Sequence, residues 1–326
     1  QYGRKIQMNE GVCPAYSDCR IGLSPDRFIL SYCDRALGVT SAEEQPVLPK
    51  GNNLSLHLLE LFTSQVAKVG MTDGIRQVLQ EESDALRAYY EQAGILIARP
   101  AGETSCRLAI SAKGGTNAEN HNHNDVGSFF YLVDGEALLD DLGSGEYTKK
   151  YFSNERYEIF CTRGLSHNIP VIGGSDQKAG SEYRADAFEV RDGNTILISF
   201  AKAYGVENLQ KLSRKLTFEE RSGMLTVEDH AECKAKISVF ENLVTRYPVT
   251  VEQDEKNQTD AKEYLVIHGE RHKLIITVSK KIGTFHIQKE AHTSYGAKDQ
   301  LINRISWELL VDGEMNADCA MKMTLA

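Results

Sequence analysis

From Ile95 onward the chain is written in short apolar or alternating runs. ILIARP, CRLAISA, SFFYLVDG, EALLDD, HNIPVIGG and NTILISFAKAY come first, separated by Gly, Asn, Asp and Ser. KLSRKLTFEE, MLTVEDHAEC, SVFENLVTRYPVTVEQ, EYLVIHG, KLIITVSK, TFHIQKE and INRISWELLVDG continue the same texture. Side chains of a strand alternate between faces, so such runs with turn residues between them predict an antiparallel sandwich. No helical segment of crossover type separates them, which argues against a parallel α/β sheet. The polar stretch QDEKNQTDAKE (253–263) predicts a long hairpin loop. The first ninety residues read differently. Ser24-Pro25-Asp26 is a helix start before RFILSYCDRAL, and LSLHLLELFTSQVAKV (54–69) has apolar residues at helical spacing. Thr72-Asp73 caps GIRQVLQEESDALRAYYEQAG, which ends on Gly94. The expected architecture is mainly β: a helical segment over 1–94, then a large antiparallel β-sandwich over 95–326.

Composition narrows the function more than the fold. A chain of 326 residues can bury a sizeable core, and its net charge of −9 disfavours a general nucleic-acid binder. Lys149, Lys150, Arg156 and Arg163 nevertheless form a local basic group able to oppose an anionic substrate. The seven cysteines are scattered without a CxxC, which reads as free thiols. Cys13 and Cys19 are near enough in sequence to pair, and the sequence leaves that open. No apolar run reaches the roughly 18–20 residues of a membrane span, and no signal peptide is visible.

The chemistry concentrates in NHNHNDVGSFFYLVDGEALLDD (120–141). If 121–125 were extended, His121, His123 and Asp125 would share one face. A turn at Asp134-Gly135 would fold residues 136–144 back on 125–133 and bring Asp141 beside the histidines. His167, in Ser166-His167-Asn168, precedes a further apolar run. His123, Asp141 and His167 together make two imidazoles and a carboxylate, a set that suits tetrahedral zinc with water in the fourth position. Asn168 and the asparagines around His123 could orient those ligands. The plain alternative is that each histidine is simply a hydrogen-bonded core or surface residue. His121, one strand repeat away, suits general acid/base work near neutral pH, or is a surface histidine. Tyr147, Tyr151 and Tyr157 crowd the following loop, and Arg156 and Arg163 could fork onto a carboxylate or sulfate. The glycine pairs fit turns, not phosphate loops, and no G-x-S-x-G elbow accompanies Ser166.

NHNHNDVGSFFYLVDGEALLDDLGSGEY followed by SHNIPVIGG closely resembles the heparinase II/III-like polysaccharide lyases. The resemblance is strongest from about Ile95 to Gly174. It implies an N-terminal (α/α) toroid of helical hairpins and a C-terminal antiparallel β-sandwich, with residues 1–94 as the end of the toroid and the linker. It also implies zinc held by His123, Asp141 and His167, with His121 facing the cleft and taking part in catalysis. The implied reaction is β-elimination on a uronic-acid polysaccharide or oligosaccharide. Asn120, Arg156 and Arg163 are the candidate substrate contacts. Tyr151 or Tyr157 would be the sandwich-side catalytic tyrosine, because a loop tyrosine serves as base in some relatives. The family's main catalytic Tyr and its Asn/His pair belong to the toroid body, which 1–94 is too short to supply. The missing toroid of the same protein is therefore an expected partner. Tyr16 and Tyr89-Tyr90 do not map onto the family's tyrosine. Relatives imply a periplasmic or secreted bacterial setting.

Two other functions compete. One is a non-catalytic carbohydrate-binding or structural module with a structural zinc. The other is a cupin-type metalloenzyme, since Gly115 and His121-Asn122-His123 open a cupin motif. Val126, Gly127 and Ser128 stand where its carboxylate is expected.

Overall fold

The computed structural model describes residues 6–8, 12–26, 29–30, 86–99, 108–219, 222–253, 263–279, 283–294 and 300–326. Among these residues the strands pair antiparallel and form three main sheets and one two-stranded ribbon. The first sheet runs in the order Leu86–Tyr90, Ile95–Arg99, Leu108–Lys113, Phe129–Val133, Glu136–Leu139. The second has eight strands, with Asn316–Leu325, Met224–Cys233 and Leu209–Glu219 at its centre. The third sets Val239–Thr245 between Gln300–Leu309 and the short Val171–Ile172, with His286–His292 at the edge.

One apolar core joins all three sheets. Leu96, Ile110, Phe129 and Tyr131 from the first meet Ile198, Leu216 and Val227 from the second and Leu243, Ile305 and Trp307 from the third. The first sheet is covered on its other face too. Ile97, Ala109, Phe130 and Leu132 pack there against Met8, Ala15 and Tyr16 of the N-terminal segment. A strand buried on both faces loses its polar alternation, which is why Phe129–Val133 is apolar at every position.

The alternating runs fold as read. Val249–Gln253 and Glu263–His268 pair as a hairpin around the polar loop, whose residues 254–262 lie outside the described residues. The helical reading fails at one place. Leu86–Tyr90 is a strand paired with Ile95–Arg99, not the end of a helix running to Gly94. Ala88 is buried against the N-terminal segment, so sheet pairing overrides local periodicity. Ile29 and Leu30 are helical, and Asp26 Oδ1 accepts from the Ile29 amide at 3.2 Å, as an N-cap does. The remainder of that predicted helix, the helix at 54–69 and residues 72–85 lie outside the described residues. Cys13, Cys19, Cys161, Cys233 and Cys319 are free thiols.

Candidate metal and catalytic site

The NHNHND segment is a loop, not a strand, and this corrects the one-face reading of its side chains. His121 has φ +59°, a left-handed conformation that breaks the period-two alternation. Its side chain is 59% exposed, whereas those of His123 and Asp125 are fully buried. Asp125 turns to Lys113 Nζ at 2.6 Å and takes no part in a metal cluster. Other side chains bind the loop's backbone. Arg156 donates to the carbonyls of His121 and Asn122 at 3.0 and 3.1 Å. The Gln177 amide exchanges hydrogen bonds with both the N–H and the carbonyl of Val126. A buried loop needs such partners, because unpaired backbone groups are costly away from water.

The following hairpin turns at Asp134-Gly135, both with positive φ, as a two-residue type I′ turn requires. A bulge between Tyr131 and Leu132 shifts the pairing by one residue, so Tyr131 faces Leu139. Asp141 then lies just past the strand end. His167 follows a run of four short 3-10 turns between Lys150 and Ser166. These elements bring one ligand-type atom each from His123, Asp141 and His167 to within 4.8 Å of one another, and all three residues are buried.

The hydrogen bonds around the two histidines use one ring nitrogen of each. His167 Nδ1 lies 2.6 Å from Asp141 Oδ2, and Nε2 has no partner. His123 Nε2 lies 3.2 Å from both Asp18 Oδ1 and the Tyr151 hydroxyl, and Nδ1 has no partner. Each ring thus spends one nitrogen on an oxygen and leaves the other buried and unsatisfied. An orphaned buried polar atom is unfavourable unless something binds it, and two imidazole lone pairs beside a carboxylate fit a divalent metal. Burial pushes the His123 pKa down and favours the neutral, ligating form. Burial acts the same way on His167, but the Asp141 carboxylate more than offsets it and raises its pKa. Burial would raise Asp141, yet His167 and its hydrogen bond hold the carboxyl below the ordinary range. Asp140 sits apart, ion-paired with Arg246. The side-chain hydrogen bonds of Asn168 go to backbone and not to His123, Asp141 or His167 side chains. It ties the carbonyls of Phe129 and Asp140 to the Val244 amide, fixing the hairpin that ends at Asp141 against the third sheet.

The other sequence candidates separate. Tyr151 is fully buried, so its phenol has no direct path to a substrate. Burial raises its pKa, and the Asp18 hydrogen bond adds to that. Arg156 is buried, stacks on the Tyr151 ring at 4.2 Å and spends its donors internally. Four of its five donors go to Asp18 and to the carbonyls of His121, Asn122 and Tyr151, so its main role is to bind the loop together. Arg163 pairs with Asp176. Tyr157 is half-buried and Asn120 exposed. Asp18 escaped the sequence reading. It lies in the N-terminal segment and touches His121, His123, Tyr147, Tyr151 and Arg156. Burial would raise its pKa, but these hydrogen bonds hold it well below the usual carboxylate range. A lone Asp in a turn-rich loop carries no pattern, and its sequence distance of more than a hundred residues from His121 hid it.

A family model described as Heparinase II/III-like, C-terminal, matches residues 83–320. The chain belongs to the heparinase II/III-like family. Its fold is similar to that of the heparan sulfate lyase HepC from Pedobacter heparinus, with a TM-score of 0.65 at 13% identity over 99% of this chain and 45% of that one. A crystal structure of heparinase III gives 0.62 at 16% identity over 98% and 46%. The chain therefore spans just under half the length of these structures. No curated protein sequence matches it.

In this heparinase II/III-like sandwich the turn after Asp141 also seats the N-terminal segment. Gly143 has φ +58°, and a Cβ there would stand 2.2 Å from the Cys19 carbonyl oxygen. That carbonyl accepts from the Ser144 amide at 3.2 Å. Gly143→Ala combines backbone strain with a clash against main chain, so a loss of about 1–3 kcal/mol is expected. Thermal melting should register it. Limited proteolysis should cut within residues 12–26 faster than in wild type, and unchanged cutting would show that Gly143 does not hold the segment.

Proposed function

We propose that the chain is the sandwich-side portion of a polysaccharide lyase that cleaves uronate-containing glycans by β-elimination, with zinc held by His123, Asp141 and His167. The observation that carries this reading is the pair of orphaned imidazole nitrogens beside Asp141, next to an exposed His121, in a chain of this family. Neighbours of the same fold named as heparan sulfate lyase and heparinase III support the substrate class. Zinc bound there would supply rigidity, joining the 121–125 loop to the Asp141 turn and the His167 segment. The proton chemistry falls to the chain's own groups.

In β-elimination the uronate carboxylate is neutralised, the C5 proton is removed and the C4 glycosidic oxygen leaves. Negative charge grows on the enolate-like intermediate, so donors aimed at that position contribute most of the acceleration. His121 is the exposed imidazole placed to accept or return a proton. The groups that neutralise the carboxylate would come from an (α/α) toroid preceding the sandwich in the full protein. A periplasmic or secreted setting fits a polymer substrate. No helix among the described residues is long and apolar enough to cross a membrane.

A second reading, a carbohydrate-binding module with structural zinc, is favoured by the burial of Tyr151 and Arg156. The cupin reading loses ground, because among the described residues His121 does not join the metal-type cluster. Incubation with uronate polymers, followed by ultraviolet absorbance of the unsaturated product, separates the first two. The expected result is product from the full-length protein and none, or very little, from the sandwich portion. Binding without product from the full-length protein would sink the lyase reading and leave the module.

A further inference from the structure

Two residues other than glycine at this site have left-handed backbone: Ser17, next to Asp18 in the chain, at φ +55°, and His121, hydrogen-bonded to Asp18, at φ +59°. Such conformations persist only where the surroundings over-determine them, and they concentrate at functional sites. Between them stands Asp18, whose side chain is only 7% exposed. Its loop is anchored firmly. The Tyr16 ring packs edge-on against Phe130 at 4.7 Å, and its hydroxyl accepts from Ser111 Oγ at 3.0 Å.

The two oxygens of Asp18 face different environments. Oδ1 points inward, accepting from the Tyr151 hydroxyl at 2.5 Å and from Arg156 Nη2 at 2.6 Å, with His123 Nε2 at 3.2 Å. Oδ2 points outward, 2.7 Å from His121 Nδ1 and 3.4 Å from the Tyr147 hydroxyl. Tyr147, unlike Tyr151, reaches solvent and is 39% exposed. With a guanidinium on Oδ1, the carboxylate can only accept at Oδ2. In the neutral ring His121 Nδ1 must then carry the hydrogen, which leaves Nε2 as a lone pair. A carboxylate that fixes the tautomer and orientation of a catalytic imidazole is a recurrent device.

We propose that Asp18 is the positioning residue of this site, holding His121 in the Nδ1–H tautomer with Nε2 presented to substrate and setting the Tyr147 hydroxyl beside it. The assignment of a glycan as that substrate rests on the lyase reading above; the tautomer does not. An N-terminal loop thereby completes a site otherwise built by the sandwich.

Nitrogen-15 NMR of the zinc-saturated full chain above neutral pH tests the tautomer directly, with the His121 signals assigned by their loss in His121→Ala. Wild type should show a protonated Nδ1 and an unprotonated Nε2 at His121. The opposite tautomer in wild type overturns the proposal whatever the variants do. Asp18→Asn, whose amide can donate to Nδ1, should shift the ring to Nε2–H, and Asp18→Glu should restore the wild-type pattern in part. In the full-length protein acting on a uronate polymer, Asp18→Asn should lower kcat about 10²–10⁴-fold with KM little changed. An unchanged kcat, or a loss confined to KM, would show that Asp18 only tethers the loop. Absence of product from wild type would instead reject the lyase reading, with the tautomer result still deciding the role of Asp18.

Discussion

Replacing His123 by Ala should abolish stoichiometric zinc binding, whereas His121→Ala should leave it intact. The two histidines are separated by a single residue, so a sequence argument treats them almost alike. Their surroundings do not: His123 is buried with Nδ1 unpartnered, and His121 is turned outward by its left-handed backbone. Asp141→Ala and His167→Ala should behave like His123→Ala, because removing any one of three protein ligands leaves too few to hold the ion. Metal analysis after dialysis against a weak chelator reads the difference as nearly one zinc per chain against nearly none. The ion also stabilises the fold by mass action, by about 2.7 kcal/mol at a free concentration 100 times its dissociation constant. At roughly 2–4 °C per kcal/mol for a domain of this size, wild type should melt some 5–10 °C higher with zinc than without, and His123→Ala should show no such gain. Equal loss of metal from both histidine variants would favour a cupin-like site. Retention by both would show that the zinc is bound elsewhere and reject the centre at His123, Asp141 and His167.

What could be read from the sequence and what could not divide along physical lines. Many strands of the sandwich were legible because they bury one face and alternate visibly, as Met224–Cys233 does with Leu225, Val227, Ala231 and Cys233 inward. The clustering of His123, Asp141 and His167 was legible because these residues stand out chemically near a recognisable Asp-Gly turn. The conformation carrying His123 was not. Hydrogen bonds from Arg156 and Gln177 hold residues 121–126 as a loop, and no periodicity encodes bonds to side chains tens of residues away. Leu86–Tyr90 was misread as helix because a helix-compatible run became the edge strand of a sheet whose outer face the N-terminal segment covers. Tyr151 and Arg156 have the residue types of a polyanion site but point inward, and burial is a tertiary property. Asp18 lay in a segment read for its turns, its cysteines and Tyr16. Its importance comes from five contacts made across the fold, none of them local.

The second large effect is expected at Arg214, which sequence reading passed over as one basic residue in an alternating strand. It is fully buried. Its guanidinium forks onto Asp229, directly opposite on the neighbouring strand, at 2.8 and 2.6 Å, and reaches Glu241 of the third sheet at 3.3 Å. The remaining donors serve the carbonyls of Gly127 and Asn168, the first beside the histidine loop and the second next to His167. Arg214→Met would fit the apolar surroundings of Phe129 and Phe200 but would strand two carboxylates in the core. Breaking a buried ion pair in this way costs about 3–5 kcal/mol, and urea or thermal unfolding should report a loss of that order. Adding Asp229→Asn and Glu241→Gln should recover part of it, since the uncompensated charge is then gone. The pH dependence has a definite sign. Burial raises the pKa of Glu241 well above its ordinary value of 4.5, and Asp229 raises it further, while Arg214 is the opposing influence. Without Arg214 the folded protein must keep this carboxyl protonated or bear its charge, while the unfolded chain ionises freely above about 4.5. Both folded proteins already hold this carboxyl protonated as pH passes 4.5, so the deficit of Arg214→Met relative to wild type should be level there and grow only as pH rises through the higher pKa that Glu241 has with Arg214 present. A deficit that stays constant through that higher pKa as well would mean that lost packing and lost carbonyl contacts, not stranded charge, account for the damage.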